Sequence, residues 1–172
     1  MSTGEHGVSA GVVVREVAPA ELEALGELTV AAYREVGETD EPYYAELRDV
    51  ASRAASVPVL VAVDAADGRL LGGVTYVPGP EGPYAEGDFG DAATIRMLAV
   101  DPAARGRGAG RALVEAAIDR ARADGRPSIG IFTRPFMVAA QALYASLGFE
   151  REPGLDWEFE PGERLLAYRL TL

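Results

Sequence analysis

The 172-residue chain contains no cysteine and no lysine, and a single histidine, His6. Without cysteine there is no disulfide, no thiolate nucleophile and no thiolate metal site. Without lysine no Schiff base can form on a side chain, and a Walker-type phosphate loop lacks its cation. One histidine near the amino terminus leaves histidine triads and histidine-rich metal sites without their parts, so no metal is expected. All 16 basic residues are arginine, against 27 carboxylates, for a formal net charge of −11. A nucleic-acid backbone is repelled by most of such a surface, so nucleic acid is not an expected partner. No uncharged apolar run reaches about 18 residues, so no membrane span is expected. Met1 to Gly11 is small and polar and lacks the basic and apolar stretches of a secretory leader. It reads as a short flexible tail, with the cytoplasm as the default location.

The remaining chain, 12–172, reads as one mixed α/β domain. Val12 to Val17 is a β-branched run, the first strand. Leu22, Leu25, Leu28, Ala32 and Val36 recur at helical spacing after Pro19. Tyr43 to Ala55 reads as a second helix. Val59 to Val63 and Arg69 to Val77 form a hairpin around Ala65-Ala66-Asp67-Gly68. Pro78 to Asp91 holds three prolines, four glycines and four carboxylates, and reads as a long exposed loop. Thr94 to Val100 is a strand. A helix to about Asp124, a strand Ser128 to Thr133, a helix Phe136 to Leu147 and a hairpin formed by Leu155 to Phe159 and Leu165 to Leu170 complete the order. There are about seven strands and about four helices, with no internal repeat.

The densest chemical signal is the turn Arg105-Gly106-Arg107-Gly108-Ala109-Gly110, followed by Arg111. It stands between a strand and an amphipathic helix. The first N–H groups of a helix have no internal partner and sit at the positive end of its dipole. Such a turn can therefore close on a phosphate, and glycines let the backbone come near. The dinucleotide fingerprint G-x-G-x-x-G fails, because position 111 is arginine.

The turn matches R/Q-x-x-G-x-G/A, and downstream Leu143-Tyr144-Ala145-Ser146-Leu147-Gly148-Phe149 matches L-Y-x-x-x-G-F. On these two motifs the chain resembles the GNAT superfamily of acetyl-CoA-dependent N-acetyltransferases. The resemblance implies a mostly antiparallel twisted sheet, splayed at the fourth strand, Thr94 to Val100. It implies acetyl-CoA as co-substrate, its pyrophosphate on 105–111 and its pantetheine arm along Leu98, Ala99 and Val100. The backbone N–H near Leu98 is the implied oxyanion donor. Tyr144 is the implied proton donor to the leaving thiolate; an ordinary phenol, with a pKa of about 10, is protonated at neutral pH.

The family's frequent strand glutamate has no counterpart here. Thr94 and Arg96 are the inward candidates, so the general base stays open. An asparagine common seven residues before the tyrosine is Met137. The resemblance places acceptor contacts on the first interhelical joint, the loop before the fourth strand and the last hairpin. Carboxylates and aromatics cluster in those segments: Glu38, Asp40, Glu41 and Tyr43; Glu86, Asp88 and Asp91; Asp156, Trp157, Glu158 and Glu160. Glu41, Tyr43, Asp91 and Trp157 are the acceptor-site candidates, in a setting that suits an amine-bearing partner. A non-catalytic acyl-CoA-binding module and an acyltransferase using a longer acyl chain stay open, as does a homodimer.

Overall fold

Val12 and Val14 are buried while their neighbours Val13 and Arg15 are partly exposed, the alternation of a strand with one covered face. The computed structural model describes residues 6–9 and 11–172. The fold is mixed α/β, built on an open, mostly antiparallel sheet. Its strands are β1 (His6–Ser9), β2 (Val12–Glu16), β3 (Val59–Asp64), β4 (Leu70–Val77), β5 (Ala93–Val100), β6 (Ser128–Thr133), β7 (Glu150–Arg151), β8 (Trp157–Glu160) and β9 (Glu163–Thr171). The order is β1-β2-β3-β4-β5-β6-β9-β7, with β8 paired to β9. The helices are α1 (Leu22–Glu35), α2 (Glu41–Arg48), α3 (Val50–Ala54), α4 (Ala109–Ala123) and α5 (Val138–Ser146). The chain divides into two compact units: residues up to Tyr76 with Met97–Ala117, and Val77–Arg96 with Ile118–Leu172.

In the first unit, Leu25 of α1 and Val50 of α3 join Val59, Val61 and Val63 of β3 in one apolar cluster. Two expectations change here. The tail 1–11 contributes β1, which pairs antiparallel with β2 from Ser9↔Val12 to His6↔Val14. Gly11, at φ +84°, makes the reversal possible. Four residues with a glycine among them carry too little periodicity to read as a strand. Residues 1–5 and 10 of that tail lie outside the described residues.

The helix expected over 43–55 is two helices, α2 and α3. Asp49 leaves the helical region (φ −83°, ψ 65°) and caps α3, accepting from Ser52 N at 3.1 Å and Ser52 Oγ at 2.7 Å. Buried Arg53 turns back to donate to Glu46 O at 2.6 Å and Leu47 O at 3.0 Å. Local side-chain bonds thus replace the helix ladder at the break.

β5 lies hard against β4 in this unit. A Cβ on Gly72 would stand 2.4 Å from Ala99 O, so the position takes no side chain without moving β5. Asp101 N donates to Leu71 O at 2.8 Å just beyond.

In the second unit, β6 pairs antiparallel with β9 from Ser128↔Thr171 to Thr133↔Leu166. The parallel ladder of β5 with β6 covers only Ala93–Ile95. It ends at Ile95, and two residues on Met97 takes φ +57°, the one non-glycine positive φ among the described residues.

Asp156 ties the last hairpin together. Its carboxylate accepts from Arg151 at 2.7 and 2.8 Å, Arg164 at 2.8 Å and Ala167 N at 2.8 Å. Chiefly through Arg151, its carboxyl is held down at about 2. Because the folded value lies below the ordinary one, this stabilisation is complete above about pH 4 and lost as pH falls towards 2. Asp156→Asn is expected to cost about 1–3 kcal/mol at neutral pH and to flatten the melting temperature between pH 4 and 2. Thermal melts of both proteins across that range check it.

Candidate active site

The arginine–glycine turn is built from its flanks inward. Asp101 accepts from Ala103 N at 2.9 Å and starts a single 3₁₀ turn over Pro102–Ala104. Arg105 is extended (φ −62°, ψ 151°). Gly106 and Gly108 follow at φ +79° and +82°, angles that side chains disfavour. Ala112 N donates to Gly108 O at 3.0 Å, the first bond of α4. The N–H groups of Ala109 and Gly110 thus stand at the helix's open end. A Cβ on Gly106 or Gly108 would meet no heavy atom within 4 Å, so the protein leaves space over the turn.

The arginines of the turn have carboxylate partners. Arg105 pairs with Glu35 at 2.8 Å, both half exposed. Arg107 pairs with Asp64 at the end of β3, whose side chain is 14% exposed. The Arg107 guanidinium, with help from the Ala66 N–H, holds the Asp64 carboxyl below its usual range. Arg111 lies 3.7 Å from Glu115, one helical turn on. Sequence reading misses Glu35 and Asp64: they stand 70 and 43 residues from their partners and carry no local signal.

On β5, Ala99 is buried and Leu98 and Val100 are partly buried. In the other unit, Tyr144 is buried at 2% exposure, its ring 5.8 Å from Phe149 and 6.0 Å from Tyr168. Burial pushes its phenol up, so it stays protonated well into alkaline solution. Met137 stands at the start of α5 and makes no side-chain cap bond.

The loop expected to be exposed over 78–91 is partly fastened down. Phe89 is 4% exposed, and its ring fills the space where a Cβ on Gly130 would sit. Phe132 does the same over Gly87, and the two rings lie 5.0 Å apart. Arg169 donates to Phe89 O at 3.0 Å. Arg96 holds Glu86 at 2.6 Å. Beneath the loop is a small cleft lined in part by Glu86, Gly87, Phe89 and Thr94. The Thr94 hydroxyl there is buried and has no hydrogen-bond partner.

The acceptor-site candidates fall in both units. Glu41 is exposed in the first turn of α2, and Tyr43 packs edge-on against Tyr33 at 5.9 Å. Asp91 is exposed; Trp157, 46% exposed, stands 6.4 Å from Phe132. Several other carboxylates are engaged internally. Glu38 is buried and accepts from Thr39 N and Asp40 N at 3.0 and 3.1 Å. Asp156 is bound by two arginines, and Glu158 accepts from Gly162 N at 3.0 Å. The acidic clustering is therefore in part a set of caps and ion pairs.

Among the described residues no helix is long and apolar enough to cross a membrane, and no group of three or more His, Asp or Glu is placed to hold a metal ion.

The chain belongs to the acetyltransferase (GNAT) family, whose model matches residues 22–149. It is similar to a GCN5-related N-acetyltransferase from Kribbella flavida, with 28% identity and a TM-score of 0.69 over 94% of this chain and 98% of that one. A GNAT family acetyltransferase from Brucella melitensis, determined in complex with acetyl-CoA, shares the fold at 19% identity and a TM-score of 0.63, over 95% of this chain and 90% of that one. Among curated proteins it resembles the mycothiol acetyltransferases of Beutenbergia cavernae, 46% identical over 61 residues, and of Geodermatophilus obscurus, 36% identical over 86 residues. Those stretches are 34% and 48% of this chain, but only 20% and 26% of the relatives' own lengths.

Proposed function

We propose that this acetyltransferase is an acetyl-CoA-dependent N-acetyltransferase that acts on an amine of a small molecule or peptide by direct attack on the thioester. The observation that carries this reading is the turn at 105–111. Two glycines at positive φ open its face, the first N–H groups of α4 stand beside them, and arginines surround it. That arrangement fits a pyrophosphate: the N–H groups supply directed donors and the open face admits close approach. Membership of the family supports a role for the Leu98–Val100 backbone in binding the coenzyme's extended arm. Acetyl-CoA, when bound, supplies the activated acetyl group; the chain's task is to hold it in line and to serve the charges that develop.

Tyr144 is the proton donor to the departing thiolate. Its buried phenol keeps its proton across the neutral range and is therefore available there as a hydrogen-bond donor.

Thiol release from acetyl-CoA, followed over a panel of primary amines, amino acids and basic peptides, tests the reading. Acceptor-dependent release with acetyl transfer to nitrogen is expected. Tight acetyl-CoA binding without release across the panel would instead mark a non-catalytic binding module. Faster turnover with longer acyl-CoAs would mark a different acyl donor.

A further inference from the structure

We infer that Asp64 is a positioning residue of the phosphate-binding turn, fixing Arg107 so that the Gly106–Gly108 backbone is held ready for its anion. This rests on the coenzyme reading of the turn given above.

Arg107 is the residue between the two positive-φ glycines, the least restrained stretch of the turn. A backbone segment of this kind loses most conformational freedom when it closes on a ligand, unless something orders it beforehand. Asp64 supplies that order from the neighbouring hairpin. It ends β3, and its register is set by pairing with Val12 on β2. Its Oδ1 accepts from Ala66 N at 2.7 Å, which orients the carboxylate, while Oδ2 takes the Arg107 guanidinium. The Asp64 side chain is 14% exposed and that of Arg107 39%, so the anchored partner is the more enclosed of the two. The contrast is the Arg105–Glu35 pair, in which both partners are nearly half exposed and neither is anchored in this way.

A purely electrostatic role makes the opposite prediction. A carboxylate next to a polyanion's site weakens binding by repulsion, so its neutralisation would tighten binding. Acetyl-CoA titrations by calorimetry separate the two. For Asp64→Asn we expect affinity about fivefold weaker, the scale of one partly screened ion pair. Arg107→Gln should show a similar loss, and the double variant should be no worse than the worse single one, because both remove the same restraint. Asp64→Glu should regain part of the affinity. In steady-state assays KM for acetyl-CoA should rise while kcat and the acceptor KM hold. Melting temperatures identify any variant whose loss reflects unfolding, and for such a variant Asp64→Glu carries the comparison. Tighter or unchanged binding by Asp64→Asn, or additive losses, overturns the positioning role alone. No acetyl-CoA binding by the unsubstituted protein overturns the coenzyme reading together with it.

Discussion

Tyr144→Phe is expected to lower kcat about a hundredfold while leaving KM for acetyl-CoA within about twofold. The substitution removes one hydroxyl and keeps the ring that packs between Phe149 and Tyr168. A fold change is therefore a poor explanation for any loss, and a melting curve close to that of the parent would exclude it. The phenol is pushed up by burial, so it neither ionises near neutrality nor acts as a base there. What it can do is donate, and the step that needs a donor is departure of the thiolate. A more acidic leaving thiol should accordingly reduce the penalty of the substitution. If kcat with the natural thioester is unchanged, Tyr144 is a core aromatic and no more.

The second large effect is expected at the arginine–glycine turn. Gly108→Val is expected to weaken acetyl-CoA binding at least tenfold. Position 108 has φ +82°, where a β-branched residue costs about 1–3 kcal/mol, and its Cβ would project into the open face of the turn. The protein also contains its own control. Gly162, in the β8–β9 turn, has φ +81° and equally open space around a built Cβ. Gly162→Val should lower stability by a similar amount and leave acetyl-CoA affinity intact. Equal affinity losses at the two positions, measured by calorimetry, would mean that strain alone is being read and that the turn at 108 is not the binding surface.

The order of elements was legible because it rests on period and punctuation. Leu22, Leu25 and Leu28 at helical spacing, the valines of β2 and β3, and Gly125 and Gly148 after their helices are local signals. The break at Asp49 and the strand at His6–Ser9 were not legible. In the first, a cap and a buried arginine override a continuous helical pattern. In the second, pairing with β2 makes a strand of residues that carry no strand pattern. The turn could be read because glycine spacing, strand and helix lie within one short stretch. Its carboxylate partners could not, since nothing about Glu35 or Asp64 in the sequence points 70 or 43 residues ahead. Composition also misled in one respect. A count of acidic residues near the acceptor segments does not distinguish a solvent-facing carboxylate from one engaged as Asp156 or Glu38 is.

Among the described residues, the ion pairs of this lysine-free sequence are made with arginine. A guanidinium keeps its charge beyond pH 12. With no cysteine or lysine, no ordinary thiol or side-chain ammonium of this sequence titrates between about pH 6.5 and 9. The protein's own charge is nearly constant across the range in which most acetylation assays are run. A rising rate in that window whose midpoint moves with the amine offered reports deprotonation of the acceptor, and a midpoint common to all amines reports a base on the protein.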